Sequence, residues 1–279
     1  MKSIFIVIPF LVWLYRIPGA SGQDAPYVSH LEARPQSGEV VVREDLGAHF
    51  RAAGVHGTFV LYDLNRSGYL VYNPERADSA YIPASTFKIF NALVALEARV
   101  IEDADEMLEW DGVERAYDMW NQDHNLRSAF KVSAVWFYQE LARRIGEGRM
   151  WHYVQAAEYG NVNIEGGIDR FWLDGELRIS AMEQVQFLRR LYRDDVPFSQ
   201  QSIDTVKNIM IAEENEEYVI RAKTGWGEVE GDQIGWWVGY VERGDNAYFF
   251  ATNIDMNQDE DAAARMSVTR TILEELGIL

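Results

Sequence analysis

Segments with strand character sit near the two ends of this 279-residue chain, and that division constrains its fold more than any other feature. "GTFVLYDL" at 57–64 and "GYLVYN" at 68–73 read as two strands joined by the turn Asn65-Arg66-Ser67 with Gly68. "EYVIRAKTGW" at 217–226, "QIGWWVGYVER" at 233–243 and "NAYFFATNID" at 246–255 again have strand composition, separated by Gly and Asp-Asn punctuation. Between them, from 85 to about 204, the chain reads as helix and loop, and a final helix is expected over 262–275, ending near Gly277. The implied architecture is α+β: an antiparallel sheet built from both chain ends, flanking helices, and an inserted helical lobe. The sheet lobe would take about 23–80 and 205–279, the helical lobe about 81–204, with the site in the cleft between them.

The stretch "YIPASTFKIF" opens the helical part. Ser85 could be a helix N-cap, but a capping box would follow it with Glu or Gln at the third position, where this chain has Lys88. From Phe87 to Leu96 nearly every residue is apolar, so the helix should be largely buried and Lys88 buried with it. Ser85, Lys88 and Asn91 step by three along one narrow stripe. Burial penalises the ammonium form, and a neutral lysine beside a serine is a base beside a nucleophile.

The first residues read as an export signal over 1–22. Lys2 supplies a positive start, Ile4 to Leu14 an apolar stretch too short to span a bilayer, and Ala20-Ser21-Gly22 a cleavage point before Gln23. Pro9 and Arg16 argue against an uncleaved anchor. Cleavage would leave 24 basic against 44 acidic residues, a net charge of −20, which disfavours nucleic acid and anionic membranes as partners. A local basic pocket could still take an anionic small molecule, since salt screens distant charges beyond about 10 Å. With no cysteine there is no disulfide, lipid-attachment cysteine or thiolate metal site, and no membrane anchor is expected after cleavage. The five histidines show neither H-x-H nor H-E-x-x-H spacing, no nucleotide-binding glycine loop occurs, and no metal is expected.

A second signal is "IRAKTGW" at 220–226. On a strand Arg221, Lys223 and Gly225 point one way and Ile220, Ala222 and Thr224 the other; Lys223 could hold a carboxylate, and Gly225 allows a close approach. Alone it reads rather as a solvated strand face ending at a turn. Together, Ser85-Thr86-Phe87-Lys88 and Lys223-Thr224-Gly225 resemble the penicillin-recognising serine acyltransferases. No S-D-N element is present; Ser133-Ala134-Val135 stands at suitable spacing. With Tyr159-Gly160-Asn161, "RFWLDGELRISA" at 170–181, "GWWVGYVE", "YFFATNID" and Arg265 before the last helix, the chain from about Val40 onward closely resembles the class D, oxacillinase-type serine β-lactamases.

The resemblance implies β-lactam hydrolysis through a Ser85 acyl-enzyme, conferring β-lactam resistance, with N-carboxylated Lys88 as general base in both half-reactions. It assigns the Trp172 indole to the support of that group, with Val135 and Leu173 as its apolar border. The backbone N–H groups of Ser85 and Trp226 would form the oxyanion hole. Ser133, with Lys223 nearby, would pass a proton to the leaving nitrogen, and Thr224, Gly225 and Arg265 would bind the substrate carboxylate. Tyr159-Gly160-Asn161 reads as more architectural than chemical, and Met119 and Trp120 as candidates for the opposite wall. No cofactor is implied beyond carbon dioxide or bicarbonate, the location would be periplasmic, and the oligomeric state a monomer or homodimer. Two rivals share these motifs: a penicillin-binding peptidase, disfavoured by the 159–181 segment and the missing S-D-N, and a β-lactam sensor, disfavoured because only a cleavable signal is read before the domain. The loop "WGEVEGDQ" is unusually acidic through Glu228, Glu230 and Asp232.

Overall fold

The structure is a computed structural model and describes residues 38–258 and 261–279; the expected export signal lies outside these. Nine strands form among the described residues: β1 (Glu39–Val42), β2 (Gly57–Asp63), β3 (Gly68–Tyr72), β4 (Ala80–Tyr81), β5 (Ile179–Ser180), β6 (Ile211–Glu214), β7 (Tyr218–Val229), β8 (Asp232–Arg243) and β9 (Asn246–Met256). Seven of them make one sheet in the order β1-β3-β2-β9-β8-β7-β6, and β4 and β5 pair separately. The two chain ends meet where β2 lies antiparallel to β9, with Val60 opposite Ala251.

Alternation along the central strands explains why they are apolar on both sides. Val238 and Tyr240 of β8 join the helical lobe's core, while Trp237 and Val241 join a second core under the C-terminal helix Asp261–Glu275. A sheet covered on both faces needs near-continuous apolar strands, and β8 and β9 supply them. The result is three layers: helical lobe, sheet, and a layer holding the terminal helix and the helix Gly47–Ala52.

The sheet departs from the expected antiparallel arrangement at one edge, where β1 runs parallel to β3. The helical connection Glu44–Ala52 spans the end of the sheet, and β3 then inserts between β1 and β2, fixing their directions. Strands β4, β5 and β6 escaped the sequence reading because they are two to four residues long. The acidic stretch read as a loop after Lys223-Thr224-Gly225 is mostly ladder: β7 and β8 stay paired up to Val229 opposite Asp232. Only Glu230 (φ 55°) and Gly231 (φ 92°) turn, both left-handed as a two-residue hairpin of the primed type requires.

The helix Lys88–Glu97 runs through the helical lobe with every residue from Lys88 to Ala95 buried. Burying Ile89, Phe90, Leu93 and Val94 contributes about 1.5–3 kcal/mol each, enough to carry one desolvated amine. Ser85 is not its N-cap. It lies inside a 3-10 turn, Ala84–Phe87, that leads into the helix, and no side chain caps that turn.

Candidate active site

The turn Ala84–Phe87 is held against the sheet by glycine. A Cβ on Gly225 would come within 3.1 Å of the Pro83 carbonyl and the Thr86 methyl, and one on Gly227 within 3.2 Å of the Ala84 Cβ. Trp226 lies between these contacts, so the backbones of Ser85 and Trp226 run on adjacent segments. The turn is fixed from two further sides, since Thr86 Oγ1 donates to the Pro83 carbonyl at 2.7 Å and accepts from Gln184 Nε2 at 2.8 Å. The Trp236 indole donates to the Ile82 carbonyl at 2.9 Å.

On this support Lys88 Nζ donates to Ser85 Oγ at 2.6 Å. Lys88 is fully buried, and desolvation, followed by the charge of Lys223, holds its pKa well below the ordinary lysine value. Lys223 is buried in turn. Desolvation, then the Arg265 guanidinium, lowers its pKa to about 7. Its Nζ donates to the Thr224 carbonyl at 3.1 Å and reaches Thr224 Oγ1 at 3.4 Å. Arg265 sits inside the terminal helix and not before it, because that helix already starts at Asp261. From there Arg265 Nη1 donates to the Gly225 carbonyl, and Tyr117 lies within electrostatic reach of the guanidinium.

The segment around Ser133 spans the two lysines. The Phe130 ring centroid is 5.5 Å from Lys223 Nζ, and the Tyr138 ring centroid is 5.4 Å from Lys88 Nζ. Ser133 lies between these aromatics, after the helix Leu126–Val132, in a left-handed conformation (φ 58°). It is the C-cap residue of that helix. Val135 opens the helix Val135–Ile145, half-buried, with Tyr138 one turn further on the same face. Asn91 Nδ2 ties the two helices by donating to the Tyr138 carbonyl at 3.1 Å.

Trp172 is fully buried and stacks on Phe87 at 5.4 Å between centroids, beside Lys88 in sequence; Leu173, next to it, is half-buried. The loop carrying Trp172 is pinned by Asn161, whose Oδ1 accepts from Arg178 N at 3.0 Å and whose Nδ2 donates to the Glu176 carbonyl at 2.9 Å. Tyr159 packs edge-on against Phe87. Tyr159-Gly160-Asn161 is thus a brace for the Trp172 loop. Among the described residues, Ser133 Oγ, Trp172 Nε1, Tyr138 Oη, Asn91 Oδ1 and Arg265 Nε are buried without a hydrogen-bond partner. Buried polar atoms are normally paired, so each of these atoms has hydrogen-bonding capacity to spare.

Met119 is exposed, whereas Trp120 is half-buried with its indole donating to the Val132 carbonyl at 2.9 Å. Trp226 is half-buried, its indole donating to Gln233 Oε1 at 2.9 Å. Sequence reasoning missed Phe130 and Tyr138, whose approach to the lysines is a tertiary event. The one available signal was the i, i+3 relation of Val135 to Tyr138. Among the described residues no group of three or more His, Cys, Asp and Glu is arranged to hold a metal ion.

A serine bonded to a buried lysine, faced by a Lys-Thr-Gly strand at the junction of sheet and helices, defines an active-site serine acyltransferase. Residues 57–274 match the family described as the penicillin binding protein transpeptidase domain. The chain is 45% identical over 232 residues to β-lactamase OXA-48 of Klebsiella pneumoniae, covering 83% of this chain and 88% of that protein. The crystal structure of the class D β-lactamase YbXI from Nostoc superposes with a TM-score of 0.83 at 48% identity, covering 85% of this chain and 100% of that one. Regulatory protein BlaR1 of Bacillus licheniformis is 38% identical over 265 residues, 93% of this chain but 44% of that protein. The chain belongs to the transpeptidase-domain family and, within it, to the class D serine β-lactamases.

Proposed function

We propose that this chain hydrolyses β-lactam antibiotics through an acyl-enzyme on Ser85, with Lys88 working in its N-carboxylated form. The observation that carries this reading is the buried Lys88 amine, 2.6 Å from Ser85 Oγ and held well below its ordinary pKa by burial. A neutral amine is the form that adds carbon dioxide, and the unpaired Trp172 Nε1 is a suitable donor for the anion that results. When present, the carboxylate would supply an oxygen base for both proton transfers. Val135 and Leu173 would border it with apolar surface that limits water.

The remaining residues take roles that follow from their chemistry. Ser85 Oγ attacks the lactam carbonyl, and the backbone N–H groups of Ser85 and Trp226 stabilise the oxyanion; one such donor is worth about 3–4 kcal/mol of barrier. Ser133 passes a proton to the departing lactam nitrogen, with Lys223 as an ammonium beside it. Thr224, Gly225 and Arg265 receive the substrate carboxylate, and Arg265 Nε is a donor not otherwise used. Export to the periplasm after removal of 1–22, a single domain over 23–279, resistance to β-lactams, and action as a monomer or homodimer complete the reading. No helix among the described residues is long and apolar enough to cross a membrane.

The test is turnover of a chromogenic cephalosporin by purified protein, following burst and steady state with and without bicarbonate. Many turnovers, lost on carbon dioxide removal and restored by bicarbonate, are expected. The similarity to BlaR1 favours a second reading, a sensor that acylates and stays acylated. A single stoichiometric burst would replace the first reading with that one, and turnover indifferent to bicarbonate would remove the carboxylated lysine.

A further inference from the structure

Ser133 combines two features that do not hold themselves in place. Its φ of 58° is a left-handed conformation that L residues rarely adopt, and its buried Oγ has no partner among the described residues. Its geometry must therefore be imposed by its neighbours. Part of the constraint is local: Ser133 N donates to the Phe130 carbonyl at 3.2 Å and Ala134 N to the Ala129 carbonyl at 2.9 Å.

The rest comes from one tryptophan. Trp120 Nε1 donates to the carbonyl of Val132, the residue before Ser133, at 2.9 Å. Trp136 Nε1, one residue beyond Val135, donates back to the Trp120 carbonyl at 2.7 Å. The two ends of the segment 132–136 are thus bonded to the same residue, and the ring they close encloses Ser133, Ala134 and Val135. Trp120 sits on a three-residue 3-10 turn, Asp118–Trp120, too short to be stable alone. That turn is anchored from outside: buried His124 donates from Nε2 to the Met119 carbonyl at 2.9 Å, while its Nδ1 contacts Ser128 Oγ at 2.9 Å.

We propose that Trp136 is a positioning residue for catalysis: with Trp120 it staples the Ser133-Ala134-Val135 segment and fixes the orientation of Ser133 Oγ. The inference rests on the proposed role of Ser133 in acylation. It assigns to the Trp136 indole N–H a function its burial alone does not suggest, since a buried tryptophan normally needs only some acceptor.

The experiment compares Trp136→Phe, Ser133→Ala and Phe137→Leu by pre-steady-state kinetics with a chromogenic cephalosporin, separating acylation from deacylation, and by thermal melting. Trp136→Phe should slow acylation about tenfold, a loss of about 1.4 kcal/mol, and leave deacylation within about twofold. Phe137 is fully buried on the same helix but outside the ring, so Phe137→Leu should lower the melting temperature and leave acylation unchanged. Should Trp136→Phe fail to fold, Trp120→Phe removes the other bond of the ring and should slow acylation alike. Acylation at the wild-type rate in the tryptophan variants, with Ser133→Ala slow, overturns the staple alone. Equal slowing by Phe137→Leu also overturns it, and a Ser133→Ala protein that acylates normally overturns the role of Ser133 and the staple with it.

Discussion

The two ends of the helix Lys88–Glu97 solve the same electrostatic problem in opposite ways. Each carries the charge that its own helix dipole opposes, a cation in the first turn and an anion in the last. At the far end the conflict is removed. Glu97 Oε2 accepts from Ser199 N and Ser199 Oγ at 2.8 Å and from Ser202 Oγ at 2.9 Å, all at the start of the helix Gln200–Ile209. Burial pushes the Glu97 pKa up, but these donors more than cancel it and leave the carboxyl below its ordinary value. At the near end nothing comparable meets Lys88, which has one hydroxyl partner and a second lysine whose charge opposes its own. The satisfied end contributes stability. The unsatisfied end holds an amine whose burial, with the charge of Lys223, disfavours the ammonium form.

The largest effect that follows concerns the unsatisfied end. Lys88→Met keeps the volume of the side chain and removes its nitrogen, and with it the base proposed for Ser85. We expect kcat/KM for a penicillin to fall about 10⁴-fold, the upper range for general-base catalysis, with any ester formed persisting long enough for intact-mass detection. Activity within tenfold of wild type would show that some other group serves as base.

A smaller effect sharpens the part played by Lys223. Burial and the Arg265 charge bring it to about 7, and on the proposed mechanism its ammonium is the working form. kcat/KM should therefore have an alkaline limb near pH 7, where the proton is lost. Arg265→Leu removes a neighbouring like charge, which raises an ammonium pKa, so the limb should move to higher pH. KM should rise about ten- to a hundredfold for loss of a charge-assisted contact, about 1.5–3 kcal/mol. An unmoved limb in the pH–rate profile would detach it from Lys223.

The same contrast explains what the sequence could disclose. Ser85, Lys88 and the Lys-Thr-Gly strand were legible because their chemistry resides in residue identity, and the burial of Lys88 was legible from the apolar run around it. The parallel edge strand β1 was not, since its direction depends on a connection that passes the end of the sheet. The hairpin tip looked like a loop because Glu228, Glu230 and Asp232 are charged, yet an exposed hairpin end tolerates charge and its turn needs only Glu230 and Gly231 at positive φ. The terminal helix was legible to within one residue of its start at Asp261, and it was the family resemblance, not the apolar pattern, that set Arg265 before it. Tyr138, Phe130 and Trp136 could not be assigned at all, because what makes them relevant is which distant groups they meet.

The smallest expected effect tests the comparison itself, through stability. Glu97→Ala removes the acceptor for three donors at a helix start, so it should destabilise by about 1 kcal/mol, as loss of an N-cap does, and lower the melting temperature by about 2–4 °C. Because Glu97 is remote from the reacting groups, kcat should not change. Lys88→Met should act in the opposite sense in carbon dioxide-free buffer, since it removes a buried amine that the fold must keep uncharged. The pH dependence follows from the direction of the Lys88 shift. In the unfolded chain the amine titrates near 10.4, whereas in the folded protein it titrates far lower, so between those values unfolding takes up a proton. Wild-type stability therefore falls as pH drops from about 10 toward neutrality, and Lys88→Met escapes that loss. The gap in melting temperature between variant and wild type should widen over this range. A constant gap would mean that Lys88 is protonated in the folded enzyme, and the two ends of the helix would then differ only in their partners.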